Sequence, residues 1–516
     1  MHFVKTRGSK VQNLYFRYSF CVWLQKILEK IVAVCYSNPC GFENHISSIK
    51  LRGVIFMNQQ KKTRQVIEIS LMLFAMFFGA GNMIFPPMLG HLGGTNYFLG
   101  TLGFILTDAG LSILGIAAIV LVGSKISDLG NLIGPKFAVF FGLAIYFLIG
   151  PLFALPRTAT VSFSMAVEPF TGENPGFIYS VIFSALFFLV TYALCINPSR
   201  MVDVVGKILT PVLLISIAVI FIVSVFNPVG EIGAPKGDYA AIPLFKGVVE
   251  GYLAMDGFAA LAFAIVVIDA MKDKGITEPK EIARYTVFSG IFAGVALGVV
   301  YLALGYVGAQ TSSGPDFANG GSLLTSVVNT LLGPVGNIVL GVAVLFACLT
   351  TSIGLASSFS DFFTSVFPKF TYRQILTAVC LFSFAVANVG LTKMIAITLP
   401  VLIMVYPPVI VLTLSSFGKK IFGNRPEPYA FGMIFAVTVG AFDGLKAAGL
   451  LAESFASTLG NSIPWFDLGI GWVLPSLIGI AVGMLVKKAK YGKLIGNIED
   501  KEEKEASVKG SVTMQN

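Results

Sequence analysis

Charged residues are scarce in this chain, and their scarcity excludes most classes of soluble protein. Only 12% of the 516 residues are charged. A soluble domain carries about 25% charged residues. Hydrophobic residues make up 55% of the sequence and form many apolar runs. Several of these runs reach the ~20 residues that cross a bilayer as a helix. The sequence therefore predicts an all-α, polytopic membrane protein.

Motifs for ATP use and for hydrolytic enzymes are also absent. The sequence contains no GxxxxGK[ST], HExxH, GxSxG or CxxC motif, and it has only three histidines. ATP is therefore not expected to drive this chain, and no metal centre or catalytic site is indicated. The net charge of +9 comes from loop residues and does not imply nucleic-acid binding. We predict no enzymatic activity and no cofactor beyond a coupling ion.

Residues 1–56 differ in composition from the rest of the chain. They hold three of the six cysteines, and lysine and glutamate interrupt their only apolar stretch. Met57 opens a short basic leader that runs directly into the first apolar segment. We expect translation to start at Met57, which would leave residues 1–56 outside the fold. The alternative is an amphipathic extension that lies on the membrane surface.

From Met57 onward the hydrophobic runs predict twelve transmembrane helices in a carrier domain over residues 57–486. The predicted spans are 66–90, 97–123, 136–160, 176–196, 204–226, 243–270, 282–308, 335–363, 374–392, 394–416, 429–448 and 466–486. Basic residues are concentrated in every second connection. The intervening connections carry only Arg157, Lys236, Lys246, Lys393 and Lys446. By the positive-inside rule both termini are then cytoplasmic, including the charged tail 487–516.

Two of the predicted spans are interrupted by residues that break helices. The first contains FFGAGNMIFPP, residues 77–87, and the sixth contains EGYLAMDGFAALAF. Backbone that leaves helical geometry inside a membrane is tolerated mainly where it lines a site. Interrupted helices at corresponding positions of two halves indicate an inverted-repeat transporter. We predict repeat one over about 66–226, repeat two over about 243–416, and two appended helices over about 429–486.

The break in the first span is a candidate binding site for an anion and a cation. Gly79 and Gly81 let the backbone leave helical geometry, and Asn82 can cap the half-helix that follows. The free N–H groups of that half-helix suit an anion such as an amino-acid carboxylate. The carbonyls that end the preceding half-helix, near Ala75 and Phe78, suit a cation. The alternative is a kink used only for packing.

Ionisable residues inside the predicted spans are further candidates. Asp256 in the sixth span can attract an ammonium group, a proton or a cation, or it can cap the second half-helix. Met255 and Phe258 beside it either line a pocket or pack in the core. Asp108 in the second span is either a proton or ion relay or a hydrogen-bonded structural acid. Arg157, at the predicted outer end of the third span, either gates the entrance or anchors at the membrane interface, and the anchor is favoured.

Two adjacent threonines mark the eighth span. Thr350 and Thr351 lie in the stretch ACLTTSIGLASS. Hydroxyls in membrane helices usually bond back to a carbonyl of their own helix. Hydroxyls that face a broken helix can instead supply oxygen ligands to a hard cation.

Four stretches together resemble one family. FFGAGNMIFPP, GPLFALPRTATVSF, EGYLAMDGFAALAF and the LTTSIGLASS region are similar to the bacterial branched-chain amino acid:cation symporters, called BrnQ. The resemblance covers roughly residues 60–490. It implies uptake of leucine, isoleucine and valine driven by a sodium or proton gradient. It also implies the five-plus-five inverted-repeat fold of the sodium-coupled leucine transporters.

The resemblance to that wider fold also implies roles for particular residues. The substrate carboxylate would meet backbone N–H groups near Ala80 and Gly81. The cation ligands would be the carbonyls of Ala75, Phe78 and Ala347 and the hydroxyls of Thr350 and Thr351. The fold's second sodium site uses a threonine in helix six and an asparagine in helix seven, which this sequence lacks. One coupling cation is therefore expected, with Asn82 as a cap or substrate contact.

The sequence as a whole favours a Na⁺-coupled importer of branched-chain amino acids in the bacterial cell membrane. One alternative is a proton-coupled carrier on the same fold, with Asp108 or Asp256 as the proton site. A second alternative is a membrane sensor that binds amino acids without transporting them. Short loops and the lack of a soluble domain argue against a sensor.

Overall fold

The computed structural model describes residues 48–171, 176–196 and 210–496, and every regular element in these ranges is helical. The chain divides into two compact units, Met1–Lys61 and Lys62–Asn516, and all side-chain contacts below belong to the second. Most of the segment 1–56 and residues 497–516 of the tail lie outside the described residues. The α-helices are α1 Ser48–Phe77, α2 Ala80–Gly93, α3 Tyr97–Val122, α4 Ile126–Gly130, α5 Pro135–Phe147, α6 Ala154–Ala166, α7 Glu168–Thr171, α8 Phe177–Cys195, α9 Thr210–Phe226, α10 Pro243–Gly251, α11 Asp256–Asp273, α12 Pro279–Ala309, α13 Gly320–Val366, α14 Tyr372–Ala387, α15 Leu391–Phe417, α16 Lys419–Phe422, α17 Glu427–Ala447, α18 Glu453–Ser462 and α19 Val473–Tyr491.

Many of these helices are suited to a bilayer. Among the described residues, seven helical stretches are long and apolar enough to cross it: Ala80–Val122, Pro135–Ala166, Phe177–Cys195, Pro279–Ala309, Gly320–Val366, Leu391–Phe417 and Glu427–Ala447. The bent pair Pro243–Ala254 and Asp256–Asp273 gives an eighth. Large apolar side chains such as Phe98, Leu106 and Leu121 are exposed on the outside of the bundle, as expected for residues that face lipid. The protein is thus a multi-pass helical membrane protein, while the count of twelve spans stays a prediction.

Some span boundaries differ from those predicted. The last span was expected from residue 466, but α19 begins at Val473. The chain before it forms a single 3₁₀ turn, Phe466–Leu468, flanked by left-handed backbone at Trp465 and Gly469. Phe466 and Leu468 extend the apolar run of the sequence into this turn, although the turn also contains Asp467. The beginning of the predicted fifth span, before Thr210, lies outside the described residues.

The first helix break separates α1 from α2 at Phe78 and Gly79. Gly79 is extended, with φ −119° and ψ −153°. The side chain of Asn82 accepts a hydrogen bond from the Gly79 N–H at 3.3 Å, which supports the new helix start. No Cβ could be added to Gly79 without meeting Thr351, whose Oγ1 would lie 2.5 Å away. Glycine is therefore needed here for the close approach of the break to α13.

The second break separates α10 from α11. After α10 the chain forms a 3₁₀ turn, Tyr252–Ala254, and Met255 then takes left-handed backbone with φ +69°. The two halves meet at an angle of 45°. Left-handed backbone is unfavourable for a residue with a side chain and persists only where the surroundings impose it. Met255 is fully packed, with 1% of its surface exposed, so the surrounding helices hold this break in place.

Close packing of α12 against α3 brings two polar side chains together. Gly294 of α12 lies against the side chain of Ile113, and Gly298 lies against Ile105. Small residues at such positions let helix backbones approach closely in membranes. Asp108 lies on α3 between these isoleucines, and its carboxylate meets the hydroxyl of Tyr301, three residues after Gly298.

Candidate functional site

A small buried cavity lies where the two helix breaks meet, and we call it the central cavity. Its volume is about 20 Å³, which is room for about one water molecule. The lining residues are Phe77, Gly79, Ala80, Gly81, Asn82, Ile149, Ala154, Arg157, Thr158, Ala254, Met255, Asp256, Ala259, Thr351 and Leu355. A larger molecule can enter only if the surrounding helices move apart.

Most of the predicted substrate residues line this cavity. They are Gly79, Ala80, Gly81, Asn82, Met255 and Asp256. Phe258 does not: it is fully buried, and its ring stacks on Tyr406 with centroids 4.0 Å apart. Two residues along an α-helix turn the side chain through about 200°, so Phe258 faces away from Asp256. Its position matches the core-packing alternative that the sequence left open.

Four buried side chains from four helices form a hydrogen-bonded group, which we call the carboxylate network. Asn82 Nδ2 donates to Asp256 Oδ2 at 2.5 Å and also to the Tyr301 hydroxyl. The Tyr301 hydroxyl donates to Asp108 Oδ2 and lies 3.5 Å from Asp256 Oδ2. α2, α3, α11 and α12 each contribute one member. The network therefore connects both helix breaks to α3 and α12.

The carboxylate network places two acids close together at membrane depth. Asp108 is fully buried and Asp256 is 4% exposed. Asp108 Oδ1 has no hydrogen-bond partner among the described residues. Isolated buried carboxylates are unfavourable unless they share a proton or meet a cation. The arrangement can therefore hold a proton or a monovalent cation, or it can attract the ammonium group of an amino acid.

Arg157 lies inside the bundle, which corrects its predicted place at the membrane interface. Only 3% of its surface is exposed. Nη1 donates to the carbonyl of Leu253 at 2.6 Å, and Nη2 donates to the carbonyl of Ala254 at 3.0 Å. The guanidinium also lies over the ring of Phe85 at 5.3 Å. The predicted third span ends at residue 160, whereas α6 runs from Ala154 to Ala166, so Arg157 lies in the first turn of a helix that continues beyond the predicted end.

Only some of the five predicted cation ligands contact one another. Thr350 Oγ1 donates to the carbonyls of Ala75 at 2.7 Å and Ala347 at 2.8 Å. Thr351 Oγ1 instead donates to the carbonyl of Met76 at 2.8 Å. The structure thus brings oxygens of Ala75, Ala347 and Thr350 into one cluster, which we call the oxygen cluster. The hydroxyl of Thr351 contacts instead the next carbonyl along α1, that of Met76. Phe78 starts the break immediately beyond these carbonyls.

This oxygen cluster fits a hard monovalent cation in its chemistry. Two carbonyls and the Thr350 hydroxyl, all from α1 and α13, lie beside the first break. Sodium prefers such neutral and anionic oxygen ligands to nitrogen or sulfur. In the structure the Thr350 hydroxyl donates to these carbonyls, so a cation would require it to turn its lone pairs inward. Thr351 could join the ligands only if its hydroxyl left the carbonyl of Met76. No group of three or more histidine, cysteine or acidic residues that could hold a transition metal is present among the described residues.

Two members of the site were not predicted as site residues from the sequence. Tyr301 lies in an unremarkable apolar stretch, and only the packing of α12 on α3 brings its hydroxyl to the acids. Arg157 was noticed but placed at the wrong depth. A lone arginine in the apolar run PLFALPRTATVSF is itself a usable signal, because an intramembrane charge implies a partner or a ligand.

A polar cluster closes the end of the bundle next to the α2–α3 connection. His91 Nδ1 lies 2.8 Å from Thr311 Oγ1, and Lys236 Nζ pairs with Asp316 at 2.7 Å. The Lys236 ammonium group holds the pKa of the exposed Asp316 carboxyl below its usual range. These contacts tie the loop before α10 to the loop after α12.

A family model described as "Branched-chain amino acid transport protein" matches residues 62–490 of this sequence. The match includes both helix breaks and the helices α6 and α13, and it therefore covers every residue of the central cavity. The matched family consists of transport proteins, in agreement with the prediction that the chain is not an enzyme.

Curated relatives match along nearly their whole length. The chain is 42% identical to the branched-chain amino acid permease BraB of Bacillus subtilis (strain 168), over 83% of this chain and 97% of that protein. It is 40% identical to the branched-chain amino acid transport system 2 carrier protein of Pseudomonas aeruginosa, over 81% of this chain and 95% of that protein. It is 34% identical to the permease BrnQ of Escherichia coli (strain K12), over 84% and 98%.

A solved structure shares the fold. The chain aligns with MHP1, a nucleobase-cation-symport-1 family transporter in a closed conformation with bromovinylhydantoin bound, at a TM-score of 0.53. The alignment covers 82% of this chain and 93% of that one, with 15% sequence identity. At this identity the likeness concerns the fold alone.

Proposed function

The chain belongs to the branched-chain amino acid transport protein family, and we propose that it imports leucine, isoleucine and valine by symport with Na⁺. The observation that carries the proposal is the meeting of two broken helices on one buried cavity. Half-helix ends at membrane depth are suited to an amino-acid substrate and a coupling ion. We place the protein in the bacterial cell membrane with both termini in the cytoplasm.

In this proposal the backbone recognises the charged groups of the substrate, and apolar side chains recognise its branched chain. The N–H groups at the start of α2 receive the carboxylate, as helix N-termini do for anions. Asp256 attracts the ammonium group. Met255, Leu355 and Ile149 supply apolar lining. Discrimination among the three substrates should be weak, because one methylene changes binding by only about 1–3 kcal/mol.

Sodium would bind to the oxygen cluster between α1 and α13. The contact of Thr350 with the Ala75 carbonyl supports this assignment, because it already joins the end of the first half-helix to α13. A cation there would hold the first break in the shape that receives the substrate. The two binding events would then be coupled, since each stabilises the same backbone geometry.

Transport requires the central cavity to open to each side in turn. A volume of about 20 Å³ is far smaller than leucine, so the helices around it must separate before substrate enters. We propose that this occurs by alternating access, with five-helix repeats over about 66–226 and 243–416 moving against each other and two further helices appended. The likeness of the fold to a known cation symporter supports this arrangement.

Uptake of radiolabelled leucine into proteoliposomes tests the proposal. We expect accumulation under an inward Na⁺ gradient and none under an inward H⁺ gradient alone. Isoleucine and valine should compete with leucine, whereas lysine should not, because its charged side chain would enter an apolar lining. Failure of leucine to accumulate under either gradient would refute the transport proposal.

The carboxylate network favours proton coupling as the second candidate. Two acids joined through Tyr301 can share one proton, which a gradient could load and release. Under this candidate leucine accumulates with an inward H⁺ gradient in the absence of Na⁺. Asp108→Asn or Asp256→Asn should then abolish gradient-driven accumulation but leave exchange of leucine across the membrane.

The substitution Gly81→Ala should impair transport, because it pushes the two helix breaks apart. A Cβ at this position would lie 2.9 Å from Arg157 Nη2 and 3.0 Å from the backbone Cα of Ala254. Overpacking of this kind costs about 1–3 kcal/mol. We expect the rate of leucine uptake to fall about tenfold, which corresponds to ~1.4 kcal/mol. Gly110→Ala is the control, since the nearest neighbour of its Cβ is at an ordinary 3.5 Å. Equal uptake by both variants would contradict the close approach of the breaks.

A further inference from the structure

We propose that Arg157 binds the carboxylate of the transported amino acid and so determines that the substrate is an α-amino acid rather than an amine. This inference rests on the proposed function, because it assumes that the amino acid occupies the central cavity. It adds a charged side chain to a carboxylate site that the sequence assigned to backbone N–H groups alone.

The position of the guanidinium is the first support. It lies between the two helix breaks and lines the central cavity. Its Nη atoms hold the carbonyls of Leu253 and Ala254 at the second break. On the other side, a Cβ on Gly81 would lie only 2.9 Å from Nη2. An anion held at the start of α2 would therefore be next to the guanidinium.

Unused hydrogen-bonding capacity is the second support. A guanidinium carries five N–H donors in a planar fork. Two contacts to carbonyls are described, and Nε has no partner among the described residues although it is buried. A buried donor without a partner costs about 1–3 kcal/mol, and more when it is charged. A substrate carboxylate would satisfy it.

Charge balance is the third support. The described residues give Arg157 no carboxylate oxygen within ion-pair distance, and Asp256 and Asp108 act on it only from further away. Both acids are instead bonded within the carboxylate network. A buried cation without a paired anion is unfavourable. The carboxylate of the substrate supplies that anion, and its ammonium group is left to Asp256.

A purely structural role for Arg157 makes a different prediction. If the guanidinium only holds the carbonyls of the second break, its loss should weaken the binding of every ligand by a similar factor. If the guanidinium binds the substrate carboxylate, its loss should weaken the binding of leucine much more than that of leucinamide. Leucinamide keeps the side chain and the ammonium group but carries a neutral amide in place of the carboxylate. The ratio of the two affinities therefore separates the roles.

The experiment measures that ratio for the full-length protein in proteoliposomes. L-leucine, L-leucinamide and 3-methylbutylamine compete with radiolabelled leucine for the wild type, Arg157→Lys and Arg157→Gln. Ligand-induced thermal stabilisation of the purified protein gives the same ratio where uptake is lost. Arg373→Gln, at an exposed position on α14, is the control.

We expect the wild type and the control to bind leucine at least 100-fold more tightly than leucinamide. Arg157→Gln should reduce this preference at least tenfold, and Arg157→Lys should reduce it severalfold, because lysine keeps the charge but lacks the fork. A preference that is unchanged in both variants would overturn the proposal. If Arg157→Gln does not fold, Arg157→Lys decides alone. A wild type that binds none of the branched-chain amino acids would instead refute the proposed function.

Discussion

Alanine at both Thr350 and Thr351 should raise the Na⁺ concentration for half-maximal leucine uptake by about 100-fold. The two hydroxyls are the side-chain ligands of the proposed sodium site. Each contact between a polar group and a charge contributes about 1.5–3 kcal/mol. Losing about 3 kcal/mol corresponds to ~100-fold in affinity, at ~1.4 kcal/mol per tenfold change. The measurement is leucine uptake as a function of Na⁺ concentration.

Two controls separate ligand loss from loss of packing. Thr350→Ser and Thr351→Ser keep the hydroxyls and should leave the Na⁺ dependence nearly unchanged. Thr377→Ala and Thr438→Ala remove exposed hydroxyls that bond only to their own helices, and they should have no effect. Sodium dependence that is unchanged in the alanine double variant would refute the site between α1 and α13.

The single variants should not be equal. Thr350 already contacts the carbonyls of Ala75 and Ala347, two of the other proposed ligands. Thr351 contacts Met76 and leans against Gly79, so it acts on the shape of the break as well. We expect Thr350→Ala to change mainly the Na⁺ dependence. Thr351→Ala should also raise the leucine concentration for half-maximal uptake.

The helix breaks could be predicted from the sequence because their signals are local. Gly79 and Gly81 interrupt an apolar run, and Asp256 interrupts another. The double proline does not mark the break, because Pro86 and Pro87 lie inside α2. A polar or flexible residue inside a span is conspicuous against a background of leucine, valine and phenylalanine. The same reasoning identifies Asp108 and the two threonines of α13 from the sequence.

What the sequence could not provide is the contacts between distant helices. Tyr301 is 219 residues from Asn82 and 193 from Asp108, and nothing local distinguishes it from other tyrosines in apolar stretches. The depth of Arg157 depended on where a helix ends, which hydrophobicity resolves poorly. The sequence leaves both pocket lining and core packing open for Phe258, and only the contact with Tyr406 decides for core packing.

Phenylalanine at Tyr301 should reduce leucine uptake by about 30-fold or more. The substitution keeps the ring, which packs edge-on against Phe104 with centroids 5.1 Å apart. It removes the hydroxyl that donates to Asp108, whose other oxygen already lacks a partner. An unsatisfied buried charged group costs more than ~2 kcal/mol, and at ~1.4 kcal/mol per tenfold change this corresponds to about 30-fold. Initial uptake rates and thermal unfolding of the purified protein measure the effect.

Tyr306→Phe is the matched control, since this tyrosine lies on the same helix and its ring faces Tyr97 and Phe221 rather than the acids. Its uptake should remain close to that of the wild type. Normal uptake by Tyr301→Phe would mean that the Tyr301 hydroxyl contributes nothing to transport. It would also refute proton coupling through the carboxylate network.

A second substitution identifies what the hydroxyl of Tyr301 does for transport. If it satisfies a charged Asp108, adding Asp108→Asn to Tyr301→Phe removes that charge and should restore part of the lost uptake. Restored uptake that still depends on Na⁺ would assign coupling to the oxygen cluster of α1 and α13 and leave Asp108 a structural acid. Restored exchange without accumulation under any gradient would assign the coupling proton to Asp108. The asparagine amide can replace hydrogen bonds of the Asp108 carboxyl but cannot carry its proton. Whether the double variant recovers accumulation or only exchange therefore assigns the carboxylate network to one of the two coupling mechanisms.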